Sequence, residues 1–409
     1  MTEQESRTVV IIGAGPSGAV ASALLQRNGH DVLVLERAHF PRFSIGESLL
    51  PQCMEYLQLA GLAGAVEQAG FQFKNGAAFS RGQRYAEFDF TDKFSPGPGT
   101  TFQVQRGKFD QLLADGAAAQ GVEIRYGHSL TSVQMQEQGA VLEVETDQGC
   151  HYRIDCQFVL DASGFARVLP RLLALESPSD FPNRKALFTH IEDRAQGRFD
   201  RNKILITVHP DHEDVWFWLI PFSDGRASLG VVASAEYFDD RVDQDPTETL
   251  KRWVADTPSL AAVLADARFD QPVTQLQGYS ANVSRLAGPR FALLGNAGEF
   301  LDPVFSSGVT IAMKSAVLAA EVLHRQLQGH AVDWQQEYSR PLQEGVDTFK
   351  TYVKAWYDGR FQSVVFHENA NPKIRQMVCS ILAGYAWDRD NPFVKDSGRR
   401  LAALVEVCQ

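Results

Sequence analysis

The sequence predicts an α/β fold in three parts: a doubly wound dinucleotide-binding unit, a layer of antiparallel strands, and a helical segment at the C-terminus. Three observations lead there. Val9-Val10-Ile11-Ile12 is a short β-branched run that ends at Gly13-Ala14-Gly15-Pro16-Ser17-Gly18, the spacing G-x-G-x-x-G, and a helical stretch follows at once. From about 187 to 233, short strand-like runs succeed one another with no long helix between them. Past Pro341 the pattern is helical and rich in aromatic residues.

Composition sets the outer limits. A chain of 409 residues exceeds one ordinary core and reads as two interwoven domains. Its 44% hydrophobic and 22% charged content is that of a soluble globular protein. A net charge of -11 without a long basic block argues against a nucleic-acid binder. No apolar run approaches the roughly eighteen residues that span a bilayer. Residues 1–7 are polar and lead straight into the first strand, which leaves no room for a signal peptide. The five cysteines are scattered, odd in number and without a C-x-x-C pair. That implies reduced thiols, a cytoplasmic setting and no metal site.

In the first unit each glycine has a separate task. Gly13 permits the tight turn, Gly15 lets the backbone approach a pyrophosphate, and Gly18 lets the helix lie close to the strand. The helix from about Ser17 aims its free N–H groups at the phosphates. Gly29 ends it, and Asp31 to Leu35 form a second strand closing on Glu36. A carboxylate there, 23 residues after Gly13, can accept hydrogen bonds from an adenosine ribose. Strand, helix, second strand and terminal acid together specify a dinucleotide site.

The next stretch, 40–51, brings the cation Arg42, Gly46 and Ser48 near the cofactor strand. It reads as a loop before a helix, or as residues lining a flavin. Lys74, flanked by aromatic and small residues, is either an edge lysine or a reactive amine. A strand over 102–106 precedes a helix over 108–120, with Phe109, Leu112, Leu113 and Ala117 on one face and Gly121 as its stop. Short strands separated by turns fill 122–157. A buried run then ends at Asp161-Ala162-Ser163-Gly164, either a plain turn or a second cofactor contact. Trp216 and Trp218, two apart on a strand, face one side; core packing or a functional wall both account for them. Residues 247–266 read as helical with one polar face, Phe291 to Gly298 as the last buried strand, and 309–328 as a long helix ended by Gly329. Ser306-Ser307-Gly308 sits at the start of that helix, where free N–H groups and the dipole make an anion site or hold a nearby acceptor.

Four of these stretches resemble the flavin-dependent halogenases, a branch of the FAD-dependent oxidoreductases: 40–51, 73–79, the W-x-W-x-I-P of 216–221, and 302–308. The resemblance implies a Rossmann-like FAD domain of the glutathione-reductase and p-hydroxybenzoate-hydroxylase type, formed by 1–80, 101–175 and 280–340. It implies a substrate-side antiparallel sheet from 81–100 and 176–279, and a helical segment over 341–409. Gly13, Gly15, Gly18, Glu36, Arg42, Ser48, Arg106 and Asp161 are then cofactor contacts, with Asp302 near the ribityl chain. Asn296 stands where flavin hydroxylases carry an acid, as in halogenases. The resemblance further implies that reduced FAD and oxygen oxidise chloride or bromide held at the backbone of Ser307 and Gly308, and that the hypohalous acid passes the wall of Trp216 and Trp218 to Lys74, which would hydrogen-bond it or form a haloamine.

Phe305 replaces the glutamate of the tryptophan-halogenating branch, which implies a substrate already activated: a phenol, or a pyrrole on a carrier protein. No second G-x-G-x-x-G opens a nicotinamide domain, so a separate flavin reductase is expected as partner. Residues 351–366 form a lid or part of the core. Residues 350–409 carry nine basic against six acidic residues, a docking face for an acidic carrier or a mixed surface. A non-halogenating FAD monooxygenase or dehydrogenase of the same fold remains an alternative, as does a flavoprotein with a structural or redox-sensing role.

Overall fold

The computed structural model describes residues 4–239 and 245–408. Two large sheets organise them. In the first, five strands run parallel in the order Phe291–Leu293, His151–Asp161, Gln4–Ile12, Val32–Glu36, Glu123–Tyr126. Parallel strands buried on both faces are apolar throughout, and Val9 to Ile12 obey this rule. Val9 and Ile11 enter the main core, while Val10 and Ile12 enter a second cluster with Leu33 and Leu142. Residues 128–136 and 139–146 add an antiparallel meander on His151–Asp161, as the turn-separated strands of 122–157 anticipated.

Register matters more than strand count. Ile12 pairs with Leu35 and with Asp161, and Asp161 pairs with Leu293. The carboxyl ends of four strands therefore lie level, and the turns after them open on one crevice, where such sheets bind ligands. The helix Pro16–Arg27 begins at that crevice.

The second sheet has seven strands in the order Thr274–Gln277, Arg184–Glu192, Arg226–Ser234, Trp216–Pro221, Lys203–Val208, Gly76–Arg81, Arg84–Asp89. One pair departs from the expected antiparallel pattern: Lys203–Val208 runs parallel to Gly76–Arg81. Residues 76–81, which the expected boundary at 80 assigned almost entirely to the cofactor unit, thus belong to this sheet. The chain enters it directly from Lys74, because Gly76 and Ala77 fit a close strand edge where a Cβ on Gly76 would stand 2.2 Å from the Phe88 carbonyl oxygen. The helical stretch expected over 247–266 is two helices, Pro246–Ala255 and Pro258–Val263, since Pro258 lacks the N–H a continuous helix needs. The strand expected over 291–298 is shorter, Phe291–Leu293, and a single helical turn, Gly295–Ala297, follows it.

The C-terminal segment is helical and packs inward. Arg340–Tyr357, Arg360–Val365, Pro372–Leu382 and Ser397–Cys408 form it, with Trp356 meeting Phe79 and the Cys379 thiol donating to the Asp89 carbonyl at the edge of the second sheet. Tyr352, Trp356 and Phe361 are fully buried, so the aromatic run is core. No helix among the described residues is long and apolar enough to cross a membrane. All five cysteines are unpaired.

Gly18 tests the crevice. A Cβ there would stand 1.9 Å from the carbonyl oxygen of Gly13 and 3.3 Å from the Ala162 side chain, so helix and turn must separate to admit it. Gly18→Ala should lower stability by about 2 kcal/mol, the usual cost of overpacking. Urea denaturation reads this, and an unshifted midpoint would show that the turn yields freely.

Candidate active site

The crevice continues into an elongated cavity of about 570 Å³ running from the first sheet to the second. Its first end is built from Gly13, Gly15, Ser17 and Glu36. Glu36 is fixed by its neighbours: Oε2 accepts the Ala14 N–H at 2.9 Å and Oε1 the Ala38 N–H at 3.0 Å. Further along, Arg42 and Arg106 line the wall and share one buried acid. Asp110 takes Arg106 Nε at 2.7 Å and Arg42 Nη1 at 3.1 Å, and Arg42 also lies 3.8 Å from Glu36, so the two cations are held rigid by two acids. Arg106 also donates to the Ile45 carbonyl at 2.6 Å and thereby pins the loop before Ser48.

The far end lies between the second sheet and the helix Gly308–Leu327. Trp216 and Trp218 form one wall, their ring centroids 6.0 Å apart. Each indole N–H is used: Trp216 donates to the Tyr357 hydroxyl at 3.0 Å and Trp218 to Ser228 at 3.1 Å. Gly230, opposite Trp218 on the next strand, makes room for the ring, since a Cβ would fall 2.2 Å from it. Pro303, Ser306, Gly308 and Asn296 face this wall. Ser306 sits in the left-handed region with φ 56°, which turns the chain sharply into the helix start.

Lys74 is buried beside the cavity-lining Ser48. It ends the strand Gln72–Lys74, paired with Thr101–Gln103, and has no solvent exposure. Its Nζ donates to Ser48 Oγ at 2.8 Å and to the Leu49 carbonyl at 2.7 Å, and lies 5.4 Å from the Phe90 ring centroid. Ser48 itself lines the cavity, so one hydrogen bond separates amine from cavity. Burial lowers the Lys74 amine to about 7.

The structure thus brings Gly13, Gly15, Glu36, Arg42, Ser48, Arg106, Trp216, Trp218 and Gly308 to one cavity. Gly18 packs behind the turn as its spacing predicts. Other expected contacts do not reach the cavity wall. Asp161 is fully buried and accepts the N–H groups of Ser163 and Leu169, so it shapes the turn whose Ala162, Ser163 and Gly164 face the cavity. Asp302 accepts the Val304 N–H at 3.0 Å and the Tyr357 hydroxyl at 2.7 Å; its carboxyl caps a turn and lies away from the cavity, where Asn296 stands instead. Ser307 is buried at the helix start. Phe305 packs edge-on against Trp356 and Phe361.

Sequence reasoning missed Glu47, a cavity residue whose carboxylate lies 2.7 Å from His190, and placed Tyr357 only within the aromatic 351–366 stretch, without its partners Trp216 and Asp302. Partners 143 and 141 residues apart leave no local signal. Among the described residues no group of three His, Cys, Asp or Glu is placed to hold a metal ion.

The residues fit FAD. A fixed acid suits the ribose, a helix start with two arginines suits the pyrophosphate, and the apolar far end suits a flat ring system. The family described as FAD binding domain matches residues 6–340. A flavin-dependent halogenase of Armillaria mellea is 30% identical over 80% of this chain and 67% of its own. The 1H-pyrrole-2-carbonyl-[peptidyl-carrier protein] chlorinase of Pseudomonas fluorescens is 27% identical over 97% of this chain and 93% of its own. The solved structure of a flavoprotein/dehydrogenase from Cytophaga hutchinsonii has a TM-score of 0.96 and 42% identity, covering 99% of both chains.

Asp302 gives a stability test. Burial pushes its carboxyl up to about 6, against the opposing pull of Tyr357, the Val304 N–H and Arg184. The folded value exceeds the unfolded one of 3.8, so between them the folded chain keeps a proton the unfolded chain has lost. This contribution to stability therefore falls as pH rises through that window and is flat above it. Across it Asp302→Asn should gain on the parent by on the order of 3 kcal/mol in denaturant titrations. A constant difference between the two proteins would mean that the buried carboxyl is already ionised at the lower pH.

Proposed function

Because the chain belongs to the FAD binding domain family and, within it, to the flavin-dependent halogenases, we propose that it halogenates an electron-rich aromatic ring through Lys74. When bound, reduced FAD with oxygen supplies the two-electron oxidation that converts chloride or bromide to hypohalous acid. The reduced cofactor is delivered by a separate flavin reductase. The observation that carries the reading is a fully buried lysine amine, one hydrogen bond behind the cavity wall, with neutral oxygens as its hydrogen-bond partners.

The start of the helix Gly308–Leu327, reached through Ser306, offers the halide its N–H groups and helix dipole. Trp216 and Trp218 keep the organic substrate from the cofactor end while leaving a path for a small acid. At about 7 a large share of Lys74 is neutral at physiological pH, and a neutral amine is a nucleophile. Its nitrogen bonds to the halogen; hydroxide leaves and takes an amine proton as water. The ring carbon then takes the halogen from nitrogen, and the ring proton restores the amine. Phe305 brings no carboxylate to stabilise the ring cation, so the ring must be activated already, as a phenol or pyrrole is. The related pyrrolyl chlorinase supports a carrier-bound ring as one such substrate.

The 42% identical flavoprotein/dehydrogenase favours a second reading, an FAD oxidoreductase that oxidises its substrate without halide. One experiment separates the two. With supplied reduced FAD, oxygen and bromide, a panel of phenols and pyrrolyl-carrier proteins should yield brominated products by mass spectrometry. Lys74→Ala should abolish them while FAD remains bound. The rate should rise with pH through about 7 and level off, because deprotonation makes the nucleophile. Halide-independent oxidation of substrate would establish the second reading, and a rate that falls through the same pH would mark an ammonium donor.

A further inference from the structure

The ribbon that carries Lys74 buries an unusual polar face. Lys74 lies directly opposite Thr101, and Gln103, two residues on, points to the same side. All three are at most 1% exposed, whereas Phe73 on the other face is 43% exposed. Buried polar atoms are ordinarily paired, yet Thr101 Oγ1 and Gln103 Nε2 have no partner among the described residues. The other end of the Gln103 amide is engaged: Oε1 accepts the Ser48 hydroxyl at 3.2 Å.

Proton counting gives that bond a meaning. A neutral amine has two N–H groups and one lone pair. Lys74 donates to Ser48 Oγ and to the Leu49 carbonyl, so both N–H groups are used and the lone pair is free. A serine hydroxyl has one proton, and that of Ser48 is directed to Gln103. Released from Gln103, it would find the Lys74 nitrogen 2.8 Å away and occupy the lone pair. The groups around the amine are Ser48, Leu49, Cys53, Phe90 and Thr101. Of these the Cys53 thiol is titratable, and burial pushes it up, so it stays protonated near neutral pH.

We propose that Gln103 is a positioning residue: by holding the Ser48 proton it keeps the lone pair of Lys74 open to the halogen. The proposal rests on the reading of Lys74 as halogen carrier. It makes Gln103 act wholly through Ser48 and not through charge.

The test combines kinetics with lysine NMR on the full chain. In Gln103→Leu, kcat for bromination should fall about tenfold with KM within about twofold, the loss expected when one hydrogen bond no longer orders a reacting group. Raising the pH should not restore it, because the deficit is an occupied lone pair, not an added proton. The Lys74 amine, followed by its 13Cε resonance without turnover and assigned by its loss in Lys74→Arg, should titrate lower than in the parent, since a hydrogen bond to the lone pair favours the neutral form. In a Ser48→Ala background the same change should do nothing further. Gln103→Met, which keeps the length without the oxygen, replaces the leucine variant should that not fold. Full kcat, recovery at high pH, an unmoved amine titration or an equal loss in both backgrounds would overturn the proposal. Bromination surviving in Lys74→Ala would instead remove the reading beneath it, whereas a dead Lys74→Ala beside a normal Gln103→Leu would remove the proposal alone.

Discussion

Lys74 carries its amine entirely inside the protein, where it meets a hydroxyl, a carbonyl and an aromatic face. No ion pair to it is found among the described residues, so desolvation dominates. Holding that amine at about 7 instead of 10.5 disfavours the charged form by on the order of 5 kcal/mol. Folded proteins have about 5–15 kcal/mol of net stability, so this strain must be offset by everything that packs around it. The unfolded lysine keeps its proton up to its ordinary value while the folded one releases it near 7, and the contribution to stability therefore rises with pH between the two.

The rest of the architecture keeps that amine out of water, one hydrogen bond from the cavity. Level strand ends at Ile12, Leu35, Asp161 and Leu293 open the crevice, and the shared acid Asp110 locks Arg42 and Arg106 along it. Arg106 then ties the loop at Ile45, which leads within three residues to Ser48. Ser48 belongs to both compartments: its side lines the cavity and its oxygen receives the lysine. Gly76 passes the chain straight from Lys74 into the second sheet, so the amine sits at the seam between the two layers.

Local sequence carried the first of these features and not the second. The βαβ unit was legible because its signals are contiguous: a β-branched run, three glycines at fixed spacing and an acid at the end of the next strand. Trp216 and Trp218 were legible as one wall because strands alternate faces. What escaped is set by distant partners. Asp302 looked like a cofactor contact, but Tyr357, 55 residues on, claims its carboxyl. Glu47 meets His190 from another sheet, and Lys203–Val208 runs parallel to its neighbour although its own pattern is that of any alternating strand.

Phe305 shows where this scaffold keeps its freedom to change. The ring lies edge-on to Trp356 and Phe361, so the packing beneath the start of the long helix is set jointly by the turn before it and by a segment more than fifty residues downstream. Shrinking the ring alone would leave a hole, and enlarging either partner alone would clash. Change at this point would therefore have to proceed by matched exchanges across the two segments, which binds the tail to the turn as one inherited unit.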